Sequence, residues 1–502
     1  MDVTLVLLVL AGILFAFWSL AAKIKGALTA SRNTWLALLA EDRTPAVDQV
    51  LRATLIGFFH PYCNAGGGGE RVLWCAVRAV QQRYPTVLCV IYTGDTDATG
   101  NEILARATAR FGIELNASRI RFVFLRRRWL IQDTTYPRLT LIGQSVGSAI
   151  FVVEALIQCL PDIFCDTMGY AFTYPVVKLI SGCPILTYTH YPSVSSDMIR
   201  AVDQSEGSFN NDAAIARSPL LRKSKQVYYQ LFARLYGYCG RFADLIMVNS
   251  SWTRDHIVEL WGIPSKTVLV YPPCDTKSFA SLPLDQNRPR VAVSVAQFRP
   301  EKNHALQLEA LHQLFTLYPQ VRQNYPDFRL VMLGSCRGPE DGGRVEALRT
   351  QATRLGIADR VDFRLNVSYP ELLAQLGNSM LALHTMTDEH FGIGIVEAMA
   401  AGLLVIAHDS AGPKLDIVTE YEGNVSGFLA TTASEYAEAI YRALVMPPSD
   451  RLAIQQCARA SVSRFTEDQF AAQFLEGFHR VISQPAAVIA AAAPIAAVPE
   501  RN

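Results

Sequence analysis

The chain contains 502 residues, half of them hydrophobic, and carries a formal net charge of +1 at pH 7. This length exceeds what a single hydrophobic core supports, so at least two domains are expected. The balanced charge excludes a protein that binds nucleic acid through a broad basic face. The ten cysteines form no CxxC pair and no Cys/His cluster, which predicts buried reduced thiols and a cytosolic environment rather than a disulfide scaffold.

The first predicted element is a membrane anchor. Residues 3–22 contain no charged side chain and are numerous enough to span a bilayer as one helix. Lys23, Lys25 and Arg32 follow this stretch, so the positive-inside rule places the remaining chain in the cytosol. A cleaved signal peptide would carry its basic residues before the apolar stretch. We therefore predict a retained, single-pass transmembrane helix within residues 1–30.

From residue 53 onward, short apolar runs alternate with helical patterns, which predicts parallel sheets covered by helices on both faces. The apolar runs lie at 53–59, 87–92, 120–124, 185–189, 245–248, 268–271, 291–295, 330–333, 361–365, 380–383 and 403–407. We predict two doubly wound, Rossmann-like α/β domains that face each other across a cleft. Ligands of such sheets collect at the carboxyl ends of the strands. The predicted boundaries are an N-terminal domain at 50–275, a linker at 276–290, a C-terminal domain at 291–465, a helix at 466–483 and a disordered tail at 484–502.

The strongly apolar segment 139–160 fits two structures. Gln144 and Glu154 interrupt it, as they would in a core helix. Basic and aromatic residues at 126–130 lie just upstream, as in a surface that dips into a membrane interface. We predict a membrane-interface segment at 126–160, with the core helix as the alternative.

The segment 386–402 carries the most informative chemical pattern. Two carboxylates, Glu389 and Glu397, bracket a short turn that opens a helix. The turn consists of Phe391, Gly392, Ile393 and Gly394. A glycine-rich helix start offers N–H groups and a positive dipole end to an anion, and the flanking acids suit sugar or ribose hydroxyls. In the alternative interpretation, Glu397 is an electrostatic cap in the first helical turn and Glu389 is a solvated loop residue.

A second glycine-rich turn follows the first predicted strand and opens a helix. Its glycines are Gly66, Gly67, Gly68 and Gly69. They allow a ligand to approach the backbone closely, which predicts an anion or sugar site. The pattern lacks the spacing of a dinucleotide fingerprint and the Gly-Lys-Ser/Thr of a P-loop. A flexible loop is the alternative.

Three further residues lie at predicted strand ends. Arg299 and Lys302 follow the run 291–295 and are close enough in sequence to converge on one diphosphate, with a solvated basic turn as the alternative. His190 follows the run 185–189, although a lone histidine is more often structural than catalytic. Asp95 belongs to a DxD sequence that we predict to be a loop, because it follows a strand and precedes a polar run typical of exposed segments. We therefore expect no metal, with diphosphate charge offset by basic residues and helix N-termini.

Taken together, these motifs resemble those of the GT-B retaining glycosyltransferases, whose signature is a pair of glutamates like Glu389 and Glu397. Over roughly residues 50–480 the chain is most similar to the endoplasmic-reticulum α-1,2-mannosyltransferases of asparagine-linked glycosylation. The segments that carry this resemblance are HPYCNAGGGGERVLW (60–74), GQSVGSAIFVVEAL (143–156), DTMGYAFTYP (166–175), YTHYP (188–192) and EHFGIGIVEAMAAG (389–402).

The resemblance implies a role for each candidate residue. Glu389 and the turn after it would hold the donor mannose, and Glu397 would bind the nucleotide ribose. Arg299 and Lys302 would neutralise the leaving diphosphate. The glycines at 66–69 would lie against donor and acceptor, and His190 would contact the transferring sugar.

The resemblance also implies the substrates and the compartment. The donor would be GDP-mannose, and the acceptor a dolichol-linked oligosaccharide that receives its fourth and fifth mannoses on the cytosolic face of the endoplasmic reticulum membrane. Membrane lipids and other mannosyltransferases of the pathway would be partners, and no cofactor would be needed. Two alternatives stay open: a lipid-linked GT-B enzyme that uses a UDP-sugar, and a catalytically silent scaffold that binds nucleotide sugar.

Overall fold

The structure, a computed structural model, describes residues 55–194, 219–284 and 288–482, together with Gly26. The predicted anchor (apart from Gly26) and the predicted tail at 484–502 lie outside the described residues. The chain divides into two compact units. The first comprises Met1–Val248, Arg254–Val268 and Ala471–Asn502, and the second comprises Asn249–Thr253 and Leu269–Phe470.

The first unit is built on a seven-stranded sheet with the order β3-β2-β1-β4-β5-β6-β7. Its strands are β1 (Leu55–Phe59), β2 (Leu88–Thr93), β3 (Ile120–Phe124), β4 (Ile163–Asp166), β5 (Ile185–Thr189), β6 (Leu245–Val248) and β7 (Thr267–Leu269). The pairs from β3 through β6 are parallel. The associated helices are α1 (Gly68–Arg83), α2 (Gly100–Phe111), α3 (Thr140–Gln158), α4 (Tyr174–Ile180), α5 (Pro219–Gly240) and α6 (Ser251–Trp261).

The second unit is built on a six-stranded parallel sheet with the order β10-β9-β8-β11-β12-β13. Its strands are β8 (Val291–Val295), β9 (Arg329–Gly334), β10 (Val361–Leu365), β11 (Leu381–His384), β12 (Leu404–His408) and β13 (Phe428–Ala430). Its helices are α7 (Thr276–Ala280), α8 (His304–Leu317), α9 (Gln320–Asn324), α10 (Pro339–Arg354), α11 (Tyr369–Gly377), α12 (Ile393–Ala400), α13 (Ala433–Val445) and α14 (Pro448–Ser461). The last helix, α15 (Glu467–Ile482), belongs mostly to the first unit.

Both sheets reverse their strand order at a central pair, which fixes where ligands can bind. The reversal falls between β1 and β4 in the first sheet and between β8 and β11 in the second. Open α/β sheets bind ligands at the carboxyl ends of the strands on either side of such a point. The predicted doubly wound α/β architecture is therefore confirmed, and each unit has one favoured edge for chemistry.

Three features differ from the sequence-based expectations. The predicted linker at 276–290 lies within the second unit and contains α7, because Asp275 caps this helix through Ser278 N (3.1 Å) and Phe279 is buried. Strands β4 and β13 are not predicted. They are short, and β4 follows an apolar helix so closely that no polar stretch separates the two.

The apolar segment 139–160 forms α3, whose polar residues tie it to the basic segment upstream. The Glu154 carboxylate accepts from the backbone N–H groups of Arg126 (2.8 Å) and Arg127 (3.2 Å). Gln144 Nε2 donates to Ile131 O at 2.9 Å. Among the described residues, α3 is the one helix that is long and apolar enough to cross a membrane by length and composition. Its interfacial role stays a prediction.

Candidate active site

In the second unit, Glu389 is held by two basic side chains. Lys302 Nζ lies 2.6 Å from Glu389 Oε2, and His384 Nε2 lies 3.2 Å from the same oxygen. Lys302 follows β8 and His384 ends β11, so the two strands at the order reversal bring them together. Because a carboxylate only accepts, His384 carries a hydrogen on Nε2. Within the described residues no hydrogen bond reaches Glu389 Oε1, so this oxygen can accept from a ligand hydroxyl.

These partners keep Glu389 ionised. Burial acts to raise the pKa of Glu389, but the hydrogen bond and charge of His384 and the ammonium of Lys302 outweigh it and hold the pKa well below its usual range. An ionised carboxylate cannot supply a proton near neutral pH. It can orient hydroxyl groups and stabilise positive charge that develops on a sugar ring.

We expect the ionised Glu389 to stabilise the fold in a pH-dependent way. A carboxyl group with a lowered pKa in the folded state adds stability above its unfolded pKa of 4.5, and this stability is lost as the pH falls through the folded pKa. The free energy of unfolding of Glu389→Gln should therefore lie below that of the wild type at pH 7 and approach it as the pH falls below 4.5. Urea unfolding at a series of pH values measures this difference. A difference that is constant across the series would contradict the assignment.

The turn that carries Arg299 and Lys302 is fixed by buried polar side chains. Thr385 Oγ1 lies 3.0 Å from the backbone oxygens of both Lys302 and Asn303. Gln307 Nε2 donates to Thr385 Oγ1 at 2.9 Å, and both side chains are buried. Arg299 is exposed, and within the described residues its side chain forms no ion pair. Of the two predicted cations, only Lys302 joins the carboxylate site.

The predicted glycine turn opens α12. Gly392 adopts a left-handed φ of 113°, which favours glycine, and Gly394 is exposed. Within the described residues no hydrogen bond forms at the backbone N–H groups of Ile393 and Gly394. These groups and the positive end of the helix are available to an anion.

The first-turn position expected for Glu397 is wrong. Glu397 is the fifth residue of α12 (Ile393–Ala400) and lies in its second turn, half-buried. Because the helix dipole acts mainly within the first turn, capping does not explain this carboxylate.

Sequence reasoning missed Gly412, which supports the turn around Glu389. Gly412 N donates to Glu389 O at 3.0 Å, and a Cβ on Gly412 would lie 2.5 Å from Phe391 O. Only glycine permits this contact. No motif marks the residue, since it follows the next strand of the sheet. No motif marks His384 either, because it is a single histidine at the end of the apolar run that forms β11.

In the first unit, the predicted glycine turn and His190 lie together. Gly66 has a φ of 77°, and the Glu70 carboxylate accepts from Ala65 N (3.1 Å) and Gly67 N (2.8 Å). The segment is therefore a hydrogen-bonded turn. A Cβ on Gly69 would lie 3.6 Å from His190 Nε2, so the backbone of the turn faces the imidazole ring across a narrow gap.

Gly69→Ala should lower activity without lowering the stability of the fold. The backbone there does not need glycine, and the added Cβ would meet its neighbours at ordinary contact distances. The melting temperature should therefore stay unchanged. Activity should fall roughly 10²-fold, the size of effect that a 1 Å misplacement of substrate produces, because the methyl group takes space in front of His190. Gly338→Ala, where a Cβ meets nothing within 4 Å, is the control. Full activity of Gly69→Ala would place the sugar elsewhere.

The DxD sequence lies in a loop, as predicted, and its Thr96 and Asp97 are exposed, but Asp95 is not solvated. It is buried, forms an ion pair with Arg128 and accepts from Asn64 N at 3.0 Å. The Arg128 guanidinium also lies over the ring of Tyr62, 5.1 Å from its centroid. Asp95 thus fixes the chain that leads into the glycine turn. Within the ranges that the structure describes, no group of three or more His, Cys, Asp or Glu side chains is arranged to hold a metal ion.

The chain has two units, each built on a parallel sheet with a glycine-rich turn beside its order reversal. This is the architecture of the GT-B class of glycosyltransferases. Solved structures share this fold. HepE from Anabaena, in complex with UDP and glucose, matches with a TM-score of 0.55 and 17% identity over 84% of this chain and 98% of that chain. A UDP-forming α,α-trehalose-phosphate synthase from Burkholderia xenovorans matches with a TM-score of 0.60 and 13% identity over 86% and 100%.

Within that class, the chain belongs to the family of GDP-Man:Man(3)GlcNAc(2)-PP-Dol alpha-1,2-mannosyltransferases. The family model described as ALG11 mannosyltransferase N-terminus matches residues 53–261, and the model described as Glycosyl transferases group 1 matches residues 276–460. The human relative is 49% identical over 85% of this chain and 87% of its own length. The relative from Dictyostelium discoideum is 45% identical over 86% of this chain and 85% of its own length. The resemblance stated from the motifs is confirmed.

Proposed function

We propose that the protein transfers mannose from GDP-mannose to a dolichol-diphosphate-linked oligosaccharide, forming α-1,2 linkages with retention of configuration. The fourth and fifth mannoses of the N-glycan precursor are the ones added. The names of the human and Dictyostelium relatives describe a GDP-mannose-dependent α-1,2-mannosyltransferase. The observation that carries the proposal is the ionised Glu389 carboxylate, paired with Lys302 and His384 in the unit whose α12 exposes its glycine-rich N-terminus.

In the proposed reaction, the bond between mannose C1 and the β-phosphate oxygen breaks. A bond from C1 to the acceptor hydroxyl oxygen forms on the same face, and the hydroxyl proton passes to the departing diphosphate. A covalent glycosyl-enzyme would need a second carboxylate about 5 Å from the acid, and the sequence motifs contain no obvious pair of that kind. Retention is therefore assigned to same-face displacement.

The diphosphate charge is proposed to be offset by the protein alone. Lys302 Nζ donates to Glu389 Oε2 and to Met386 Sδ (3.1 Å), which leaves one of its three N–H groups for a phosphate oxygen. The N–H groups of Ile393 and Gly394 would add fixed dipoles, and such prearranged donors stabilise developing negative charge. The exposed Arg299 side chain would approach the phosphates when GDP-mannose binds. Glu397 would accept from the ribose hydroxyls.

The first unit is proposed to dock on the cytosolic face of the endoplasmic reticulum membrane, where the predicted anchor would hold it. The side chains of Trp129, Val146 and Ile150 are each about half exposed. Arg126 and Arg127, which directly precede the Trp129 segment in the chain, are exposed as well. An apolar helix face flanked by basic residues suits a bilayer interface with anionic lipids. Tethering would raise the effective concentration of a lipid-linked acceptor.

Aspartate at both Val146 and Ile150 should test the membrane surface. Transfer should fall with acceptor in anionic liposomes, because charge on the apolar face opposes interfacial burial. Transfer in detergent micelles should change little. Leu317→Asp combined with Val445→Asp, which places the same two charges at half-exposed aliphatic residues of the second unit, serves as the control. An equal loss in liposomes and micelles would indicate damage to the fold rather than to docking.

The proposed function is tested with the purified full-length chain, the dolichol-linked acceptor and a panel of GDP- and UDP-sugars, with and without excess chelator. Transfer from GDP-mannose alone, unaffected by chelator, is the expected result. Transfer only from a UDP-sugar would replace the donor assignment, and binding without transfer would favour a scaffold. Loss of activity with chelator would overturn the metal-free mechanism.

A further inference from the structure

The turn after β4 in the first unit is rigidly organised around a buried carboxylate. Asp166 Oδ1 accepts from Met168 N (2.9 Å) and Gly169 N (3.1 Å), and its Oδ2 accepts from Tyr170 N (2.6 Å) and from the Tyr174 hydroxyl (2.7 Å). Asp166 itself has no solvent exposure. Three of these donors are the backbone N–H groups of residues 168–170, so Asp166 holds that part of the turn, and Thr167 is held by other contacts.

Thr167, the first residue of the turn, lies between two histidines. His60 Nδ1 is 2.7 Å from Thr167 Oγ1, and His190 Nε2 is 3.1 Å from Thr167 O. Thr167 Oγ1 donates to Phe59 O (3.4 Å), so in the contact with His60 the threonine oxygen is the acceptor and His60 Nδ1 is the donor. A carbonyl oxygen can only accept, so His190 is the donor to Thr167 O. Each imidazole thus has an assigned hydrogen: Nδ1 on His60 and Nε2 on His190.

Both rings also lie beside the glycine turn. A Cβ on Gly69 would be 3.6 Å from His190 Nε2 and 3.9 Å from His60 Cε1. His60 is 1% exposed, so it is too deeply buried to meet a substrate, whereas His190 is partly exposed. His190 can therefore reach a ligand, whereas His60 can act only through its neighbours.

We propose that His60 is a positioning residue for the mannosyl transfer, fixing the ring orientation and tautomer of His190 through Thr167. This inference rests on the proposed function, because it assumes that His190 contacts the transferring sugar. The chain of contacts runs from His60 Nδ1–H to Thr167 Oγ1, through the threonine backbone, and from Thr167 O to His190 Nε2–H. Removing the first contact should let the Thr167 carbonyl shift and weaken its hold on the His190 ring, which then depends more on its other contacts, such as the Tyr188 ring 5.1 Å away between centroids.

The electrostatics of His60 suit this role. Burial, with a smaller contribution from the charge of neighbouring His190, lowers the pKa of His60 to about 3. The ring therefore stays neutral across the physiological range and keeps one N–H for Thr167. A proton-transfer role, which needs a pKa near the working pH, does not fit this histidine.

The test compares His60→Leu, which removes the ring N–H, with His60→Asn, whose side-chain N–H₂ occupies the place of Nδ1. His60→Leu should lower kcat roughly tenfold, as expected for one lost hydrogen bond, with little change in KM for GDP-mannose. His60→Asn should recover most of that loss. In a His190→Ala background, His60→Leu should have no further effect on kcat, because residues that act through one another are not additive. His312→Leu, which removes another ring that pairs with a backbone oxygen (Leu355 O, 2.9 Å) in the second unit, is the matched control.

A second measurement keeps this inference separate from the proposed function. Nitrogen-15 NMR of histidine-labelled protein should give His190 as the Nε2–H tautomer in the wild type and as a mixture of tautomers in His60→Leu. If the wild-type protein transfers no mannose, the proposed function fails, while this spectrum still tests the link between the rings. An unchanged His190 tautomer in His60→Leu, or additive losses of kcat in the His190→Ala background, would overturn the inference.

Discussion

Glutamine at Glu389 is expected to reduce kcat about 10²–10³-fold, the loss seen when one prearranged electrostatic group is removed from an active site. The substitution keeps the shape of the side chain but removes the negative charge that pairs with Lys302 and His384. It also removes the charge that would face positive charge developing on the mannose ring. Steady-state kinetics with GDP-mannose measure the effect, and KM should change less than kcat.

Glu301→Gln is the control for that experiment. Glu301 is an exposed carboxylate beside Lys302 in the chain, so its neutralisation changes net charge equally without touching the proposed site. It should leave kcat near the wild-type value. A Glu389→Gln protein with wild-type kcat would exclude Glu389 from the reaction.

Alanine at Lys302 is expected to weaken GDP binding and turnover together. The substitution removes the N–H group assigned to a phosphate oxygen and leaves Glu389 with His384 as its remaining basic partner. A charge-assisted hydrogen bond contributes about 1.5–3 kcal/mol, so the Kd for GDP should rise by roughly one to two orders of magnitude. Calorimetric titration with GDP provides the measurement, and kcat should fall in the same variant.

Lys414→Ala is a matched control for Lys302→Ala. Lys414 also pairs with a carboxylate in the second unit, with its Nζ 3.1 Å from Asp409 Oδ1, but half of its side chain is exposed. Its loss should affect GDP affinity little, because solvated ion pairs contribute weakly. Unchanged GDP affinity in Lys302→Ala would remove this lysine from the diphosphate site.

Most strands of both sheets and both glycine turns could be predicted from the sequence because their signals are local. Continuous apolar runs mark buried parallel strands, and glycines directly after a strand mark close approach of the backbone. The order reversals that place β1 beside β4 and β8 beside β11 follow from no local pattern. For that reason Lys302 and Glu389, 87 residues apart, could be proposed for one site only through the general rule on strand ends and the family resemblance.

The supporting residues could not be predicted, because their roles depend on contacts between distant parts of the chain that form only in the folded structure. His60 and Thr167 are 107 residues apart and meet because β1 pairs with β4, a strand the apolar pattern does not separate from α3. Gly412 is needed because its backbone packs against Phe391. Asp95 lies in a polar sequence typical of loops. In the folded structure it forms an ion pair with Arg128 and accepts a hydrogen bond from Asn64 N.

The most direct test of the proposed function is the structure of the product. The full-length protein is incubated with GDP-mannose and dolichol-diphosphate-linked Man3GlcNAc2, and the released glycan is analysed by mass spectrometry before and after treatment with an α-1,2-specific mannosidase. We predict a gain of one and then two hexoses, both removed by that mannosidase, in a reaction that Glu389→Gln nearly abolishes. No gain of hexose from GDP-mannose, or hexoses that resist the mannosidase, would contradict the proposal.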